Sequence, residues 1–110
     1  MRSLHIFLFL LCLSAVSAFA QGGEISGRVI DEFGDGLPYA DVLIVVDGVP
    51  SGQSAQTNMD GFYSIKPLTP GNYDVEAQYL GYANLKQRGV IVKNDQTTYI
   101  DFPMTAADDV

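Results

Sequence analysis

The chain is poor in the side chains that most often carry chemistry. Its 110 residues include no tryptophan, one cysteine and one histidine, and Cys12 and His5 both lie within the first twenty residues. The remainder therefore has no thiol nucleophile, no disulfide and no Ser-His-Asp triad, and a zinc site there would depend on carboxylates alone. Paired carboxylates remain, but a small domain rarely offers the deep cleft that would tune them. We expect no enzymatic activity, no catalytic residue and no cofactor.

The first twenty residues have the three zones of a secretion signal. Arg2 precedes an unbroken apolar run, residues 6–13, and a zone of small residues then ends in Ala18-Phe19-Ala20. The apolar run is shorter than the roughly 20 residues that span a bilayer. The pattern predicts that residues 1–20 are removed, with cleavage after Ala20 and Gln21 as the new N-terminus.

Two alternatives to cleavage are less well supported by the same residues. An uncleaved membrane anchor would need a longer apolar run. Lipid attachment at Cys12 would need a small residue at the position that Leu11 occupies. We therefore expect an exported protein that contacts the membrane only through its signal peptide.

The charge balance limits the classes of partner. Thirteen acidic and six basic residues give a formal charge of -7, and loss of Arg2 with the signal makes the chain one unit more negative. An acidic surface repels phosphate backbones and anionic lipids, so we expect no nucleic-acid partner. Acidity suits solubility, a divalent cation or a basic partner.

After residue 20 the chain consists of short β-type runs separated by Gly, Pro, Asn and Asp. Residues 73–80 alternate most clearly between apolar and polar, and the run 42–46 is apolar on both faces, which predicts a central strand covered twice. Strands are predicted at residues 24–30, 40–47, 54–57, 62–65, 73–80, 85–92 and 97–102, with a loop at 49–53. Seven strands predict one all-β, two-sheet sandwich over residues 21–104, followed by a short acidic tail, residues 105–110.

Ten turn-type residues are interpreted as fold-making. Leu68, Pro70, Gly71 and Tyr73 are typical of a tyrosine corner, in which the hydroxyl donates to a backbone carbonyl a few residues upstream. The other six are Gly27, Gly36, Pro38, Asn58, Gly61 and Gly81. Gly, Pro and Asn are the residues that turn geometry selects, which favours this interpretation over ligand binding.

The order of these motifs resembles that of the carboxypeptidase regulatory-like domain family. The resemblance covers about residues 23–102 and is carried by Gly27-Arg28-Val29-Ile30-Asp31, Gly36-Leu37-Pro38-Tyr39-Ala40-Asp41-Val42, Thr57-Asn58-Met59-Asp60-Gly61-Phe62-Tyr63, Leu68-Thr69-Pro70-Gly71-Asn72-Tyr73-Asp74-Val75 and Tyr79-Leu80-Gly81-Tyr82. It implies a seven-stranded Greek-key β-sandwich of the transthyretin-like (prealbumin-like) type.

The resemblance also implies a role. In that family the domain accompanies a zinc peptidase, whose metal ligands belong to a neighbouring catalytic domain. Related domains precede TonB-dependent receptors of Gram-negative outer membranes or stand alone in exported proteins. We therefore expect a stand-alone accessory module for protein interaction or structural support, located in the periplasm, at the outer membrane or outside the cell.

Three site hypotheses remain open beside a purely structural interpretation. Asp31, Glu32, Asp35 and Asp60 could hold calcium, although Phe33 stands where an EF-hand loop has its second ligand, and a solvated turn explains them as well. An aromatic platform for a glycan could be formed by Tyr39, Tyr63, Tyr79, Tyr82 and Tyr99, although packing on a sheet explains these residues equally. An exposed sheet edge at residues 54–57 or 97–102 could accept a strand from an envelope protein partner, or could be blunted and free.

Overall fold

Eight strands account for the regular structure of residues 22–107, the part of the chain that the computed structural model describes. They are β1 Gly23–Ile30, β2 Asp41–Val46, β3 Val49–Gln56, β4 Phe62–Leu68, β5 Gly71–Gln78, β6 Leu85–Val92, β7 Thr97–Tyr99 and β8 Phe102–Pro103. The described residues include no helix long and apolar enough to cross a membrane. The predicted signal peptide, with its cleavage residues Ala18, Ala20 and Gln21, lies outside the described residues.

The strands form two sheets, which confirms the predicted all-β sandwich. One sheet has the order β4-β1-β7, with β8 also paired to β1, and the other has the order β3-β2-β5-β6. Strand β1 runs parallel to β7 and β8, and the other pairs are antiparallel. Strand β5 returns to pair with β2 rather than with β4, and this return connection is typical of a Greek key.

The core lies between the two sheets and follows the alternation of the strands. Fully buried aliphatic residues face each other from both sheets, among them Ile25 and Val29 of β1, Val42 and Ile44 of β2, and Val75 and Ala77 of β5. Each buried Val or Ile side chain contributes about 1.5–3 kcal/mol relative to exposure, so this two-period pattern is the main source of stability. The polar residues that alternate with Val75 and Ala77 in β5 lie on the outer face, as predicted; they are Asp74, Glu76 and Gln78.

Strand β2 is internal to its sheet, as predicted, and its two faces are covered unequally. Val42 and Ile44 face the core between the sheets and are fully buried. On the opposite face Val45 is 4% exposed and Leu43 is half-buried, so the outer face is covered in part, and the exposed Val46 lies at the end of the strand.

Strand β3 is longer than the sequence predicts. The predicted loop 49–53 and the predicted strand 54–57 together form one eight-residue strand, Val49–Gln56, and Thr57 lies beyond its end. The pairing with β2 shifts register between Leu43 and Val45. The small polar residues and Pro50 of this strand show no alternation that would predict it from the sequence. The strand is held in place by pairing with β2 and not by burial of an apolar face.

The predicted strand 97–102 is divided into β7 and β8. Between them the Ile100 amide donates to the Ser26 carbonyl at 2.9 Å, and the Asp101 carboxylate accepts from the Arg28 amide at 2.9 Å. Gly27 lies on β1 opposite this interruption. The polar bonds replace regular pairing, so the count is eight strands rather than seven.

The tyrosine corner is present. The Tyr73 hydroxyl donates to the Thr69 carbonyl at 2.5 Å, and Leu68 is fully buried in the core. Pro70 precedes β5 and Gly71 begins it. The bond fixes the crossover from β4 in one sheet to β5 in the other.

The segment predicted as a tail is attached to the domain in its described part. The Ala83 amide donates to the Thr105 carbonyl and the Ala107 amide donates to the Gly81 carbonyl, both at 3.0 Å. Tyr82 and Ala106 form a β-bridge. Residues 105–107 therefore extend the sandwich beyond the predicted boundary at residue 104.

Candidate recognition surface

Three loops and the C-terminal segment meet at one end of the sandwich, which we call the loop end. The loops are residues 31–40 between β1 and β2, 57–61 between β3 and β4, and 79–84 between β5 and β6. The Tyr39 amide donates to the Thr57 carbonyl at 3.1 Å, joining the first two loops. Loops carry binding residues disproportionately often in folds of this type, so the loop end is the place to look for function.

Thr57 anchors the first two loops to each other. It is the buried polar residue of the described chain, with 2% of its surface exposed. Its hydroxyl accepts from the Ala40 amide at 2.8 Å and donates to the Leu37 carbonyl at 2.5 Å. One hydroxyl thus satisfies two backbone groups that no strand pairing reaches, and so fixes the approach to β2.

Gly36 and Gly61 allow the same two loops to touch. A side chain at Gly36 would place its Cβ 1.9 Å from the Asp60 carbonyl oxygen. Gly61 has a φ of 86°, which favours glycine, and its amide donates to the Asn58 carbonyl at 3.0 Å. A side chain at either position would meet backbone, so the close approach of the two loops depends on both glycines.

Side-chain caps make the tips of these loops rigid. The Asn58 side-chain oxygen accepts from the amides of Asp60 and Phe62 at 2.9 and 3.0 Å. The Asp31 carboxylate accepts from the amides of Phe33 and Asp35, both at 2.9 Å. In capped turns of this kind, the side chain of the central residue points toward solvent.

An apolar surface lies on these capped loops. We call it the apolar rim and define it as Phe33, Tyr39, Met59 and Phe62, which are 87, 62, 67 and 52% exposed. Tyr39 has a φ of 60°, an unusual conformation for a residue with a side chain. The guanidinium of Arg28 lies 5.2 Å from the centre of the Phe62 ring, a cation–π contact.

The four calcium candidates border the rim but do not form a metal site. Within residues 22–107, no three Asp, Glu, His or Cys side chains come together as a possible metal centre. One oxygen of Asp31 is already engaged by two amides, and the Asp60 carbonyl accepts from the Arg28 side chain at 2.9 Å. Asp31 acts instead as a turn cap, and Glu32, Asp35 and Asp60 add negative charge to the same two loops.

The third loop forms a separate cleft beside the rim. We call it the tyrosine cleft; its volume is about 380 Å³, and its lining consists of Asp41, Gln78, Tyr79, Leu80, Gly81, Tyr82 and Asn84. The rings of Tyr79 and Tyr82 lie 5.6 Å apart between centres, tilted by 60°. Partial burial, followed by the carboxylates of Asp31 and Glu32, raises the pKa of Tyr82.

The five candidate tyrosines do not form one platform. Tyr79 and Tyr82 are neighbours in the cleft, Tyr39 belongs to the rim, and Tyr99 is exposed on β7. Tyr63 is buried, and its hydroxyl donates to the Ile100 carbonyl at 2.5 Å. Burial, followed by the charge of Asp101, raises the pKa of Tyr63.

Both predicted edge segments lie on sheet edges, but neither edge is open along its length. Strand β3 carries Pro50, which has no N–H, and a register shift, while β7 is only three residues long. On the edge strand β6, the Ile91 carbonyl accepts from the Thr98 hydroxyl at 2.8 Å. Proline, irregular register and short strands are the features by which edges avoid further pairing.

Comparison with known families identifies the domain. The profile of the carboxypeptidase regulatory-like domain family matches residues 24–105. The chain belongs to this family. The match includes all eight strands except the first residue of β1, together with the three loops of the loop end. The carboxypeptidase regulatory-like family is one of non-catalytic regulatory domains.

Solved structures similar to this carboxypeptidase regulatory-like domain share its fold. Two chains from interface mutants of a type II cohesin–X-dockerin complex of Acetivibrio cellulolyticus are 23% identical, with TM-scores of 0.65 and 0.62, over 79% of this chain and 60% of theirs. A Bacteroides uniformis protein described as a candidate carbohydrate-binding protein is 17% identical, with a TM-score of 0.58, over 74% of this chain and 40% of its own. The chain thus spans less than two thirds of each. A comparison with curated proteins gives no match.

Proposed function

We propose that this chain is an exported, non-catalytic accessory module that binds a protein partner in the cell envelope of a Gram-negative bacterium through its apolar rim. The observation that carries the proposal is the exposure of Phe33 and Met59 on turns that side-chain hydrogen bonds make rigid. Large apolar side chains with this much exposure contribute little to the core of the domain. Large exposed apolar patches are typical of interaction sites.

The charges around the rim favour a protein over a lipid surface or a nucleic acid. Asp31, Glu32, Asp35 and Asp60 lie in the same two loops as Phe33 and Met59, and Arg28 is engaged with the Phe62 ring and the Asp60 carbonyl. Carboxylates are repelled by phosphates and by anionic lipid headgroups. An apolar pocket with a basic border on a partner protein would complement both features.

The loop end supports this role better than the sheet edges do. Strand addition needs an uninterrupted row of backbone donors and acceptors. Pro50 and the register shift interrupt β3, and the Thr98 hydroxyl already occupies a carbonyl of β6. The rim needs no such rearrangement, because its side chains already face solvent.

Photo-cross-linking in the encoding organism tests the proposed surface. A photoreactive phenylalanine analogue replaces Phe33 or Met59 in the full-length chain, and replaces Val49 in a control variant. Val49 is 63% exposed but is the first residue of β3, directly after the turn from β2, at the opposite end of the sandwich. We expect one adduct of the same mass from both rim positions and none from Val49. Equal adducts from all three positions, or no adduct from either rim position, would contradict the proposal.

Export is tested by the mass of the mature chain. We expect an envelope fraction whose N-terminus is Gln21, because Ala18 and Ala20 form the predicted cleavage pattern. Replacement of Ala20 with Gln should leave the precursor uncleaved. A chain that keeps Met1 or carries lipid on Cys12 would be inconsistent with this part of the proposal.

A further inference from the structure

The tyrosine cleft has a composition that the protein-binding role of the rim does not use. It combines two aromatic rings with a carboxylate and two amide side chains, those of Asp41, Gln78 and Asn84. Ligand sites typically pair an apolar wall with a few fixed polar groups that set orientation. We infer that the tyrosine cleft binds a neutral saccharide.

Neighbouring side chains hold the polar groups of the cleft in place. Asp41 and Gln78 are cross-strand partners of β2 and β5, so both project from the same face. The Gln56 amide donates to Oδ1 of Asp41 at 3.1 Å, and the Gln78 amide donates to Glu76 at 2.7 Å. Each bond uses one polar atom and fixes the plane of the group, which lowers the entropy lost when a ligand binds.

The hydrogen-bond donors and acceptors that these groups still have available match the hydroxyls of a sugar. The second oxygen of Asp41 and the carbonyl oxygen of Gln78 accept hydrogen bonds, and the amide nitrogens of Gln78 and Asn84 donate them. Adjacent hydroxyls of a sugar ring supply donors and acceptors at similarly short spacing. A purely apolar ligand would desolvate the second oxygen of Asp41 without giving it a hydrogen-bond partner.

The aromatic pair supplies the apolar wall. The 60° tilt between the Tyr79 and Tyr82 rings produces an angled surface rather than a flat one. The C–H face of a sugar ring can pack on such a surface while its hydroxyls reach the polar side. Both rings are partly buried against the core, and an aromatic ring with a polar tip suits such a half-buried position.

Charge limits the saccharide to a neutral one. Asp41 lines the cleft, and the carboxylates of Asp31 and Glu32 act on Tyr82. A uronic acid or a sugar phosphate would be repelled by all three groups. The cleft is also open and shallow, so contact is confined to one or two sugar units.

Titration of the full processed chain with defined oligosaccharides tests the inference. Cellotriose, xylotriose, maltotriose and mannotriose are added up to about 10 mM while backbone amide shifts are recorded, and trigalacturonate serves as the anionic comparison. We expect at least one neutral trisaccharide to give saturable shifts at Asp41 and in residues 78–84. No saturable shift, shifts elsewhere, or preferential binding of trigalacturonate would overturn the assignment.

Three variants separate a cleft site from a general surface effect. Asp41→Asn and the exposed Asn84→Ala should each weaken saccharide binding about tenfold, as loss of one hydrogen bond to a bound ligand implies. Tyr99→Ala removes an exposed tyrosine outside the cleft and should leave affinity unchanged. Unchanged binding in both cleft variants would refute the site. Phe33→Ser should not alter saccharide affinity, so failure of the rim proposal is distinguishable from failure of this one.

Discussion

The hydroxyl of Thr57 provides the sharpest test of how the loop end is built. In Thr57→Val the side chain keeps its shape, but the Ala40 amide and the Leu37 carbonyl lose their partner while staying buried. Each unsatisfied buried group costs about 1–3 kcal/mol, and the added methyl group returns about 0.8 kcal/mol. We expect a loss of about 3 kcal/mol in the free energy of unfolding, more than 100-fold in the equilibrium constant.

Urea denaturation of matched variants measures this loss. Thr57→Ser keeps the hydroxyl and removes one methyl group, so it should cost only about 1 kcal/mol. Thr69→Val changes an exposed threonine and should stay within about 0.5 kcal/mol of the parent. Hydrogen exchange at the Ala40 amide should accelerate in Thr57→Val alone. If Thr57→Val is as stable as the parent, or more stable than Thr57→Ser, the reasoning about the buried hydroxyl is wrong.

Three further predictions follow from the same geometry. Gly36→Ala should destabilise the domain by at least about 2 kcal/mol because its Cβ meets backbone, whereas Gly71→Ala, whose Cβ finds only ordinary contacts, should be neutral or slightly stabilising by thermal denaturation. Equal melting temperatures would contradict the close contact. Tyr73→Phe should cost about 1 kcal/mol by loss of the corner bond, and no change in a urea titration would remove its structural role. Tyr63 and Tyr82 should ionise above the ordinary tyrosine range in an ultraviolet pH titration, since their pKa values are raised. In the unfolded state Tyr63 ionises near pH 10, so its contribution to the free energy of unfolding is constant below that pH and is lost above it. Tyr63→Phe should make the fall in stability at alkaline pH less steep. If the stability of Tyr63→Phe falls as steeply as that of the parent, the argument is wrong.

The fold was predictable wherever burial of one strand face produces an alternation of apolar and polar residues in the sequence. In β5 apolar and polar residues alternate without interruption, and its core face is the predicted one. Strand β3 lacks this mark, because Val49, Pro50 and the small polar residues that follow are exposed. Its conformation depends on pairing with β2, which single-sequence periodicity does not record. The break at Ile100 and Asp101 was missed for a related reason, since side-chain and backbone bonds replace the ladder there.

The candidate site was predictable only in part. Tyr79 and Tyr82 were selected as aromatic residues, but the same criterion also selected the buried Tyr63. The rim residues Phe33 and Met59 were not selected, although a signal existed. Each sits between turn-forming residues, where the chain must be at the surface, so an apolar side chain there is necessarily exposed. The contact between loops 31–40 and 57–61 could not be predicted from the sequence and is seen only in the structure.

The place of β1 within its sheet has a consequence for how the domain is made. This strand is the first of the eight to leave the ribosome, yet β7 and β8, two of its three partners, are the last. Pairings this far apart in sequence are slow to form. A nascent chain that ends before Thr97 cannot fully enclose Ile25 and Val29, so the sandwich is assembled as a whole only after β7 and β8 have been synthesised.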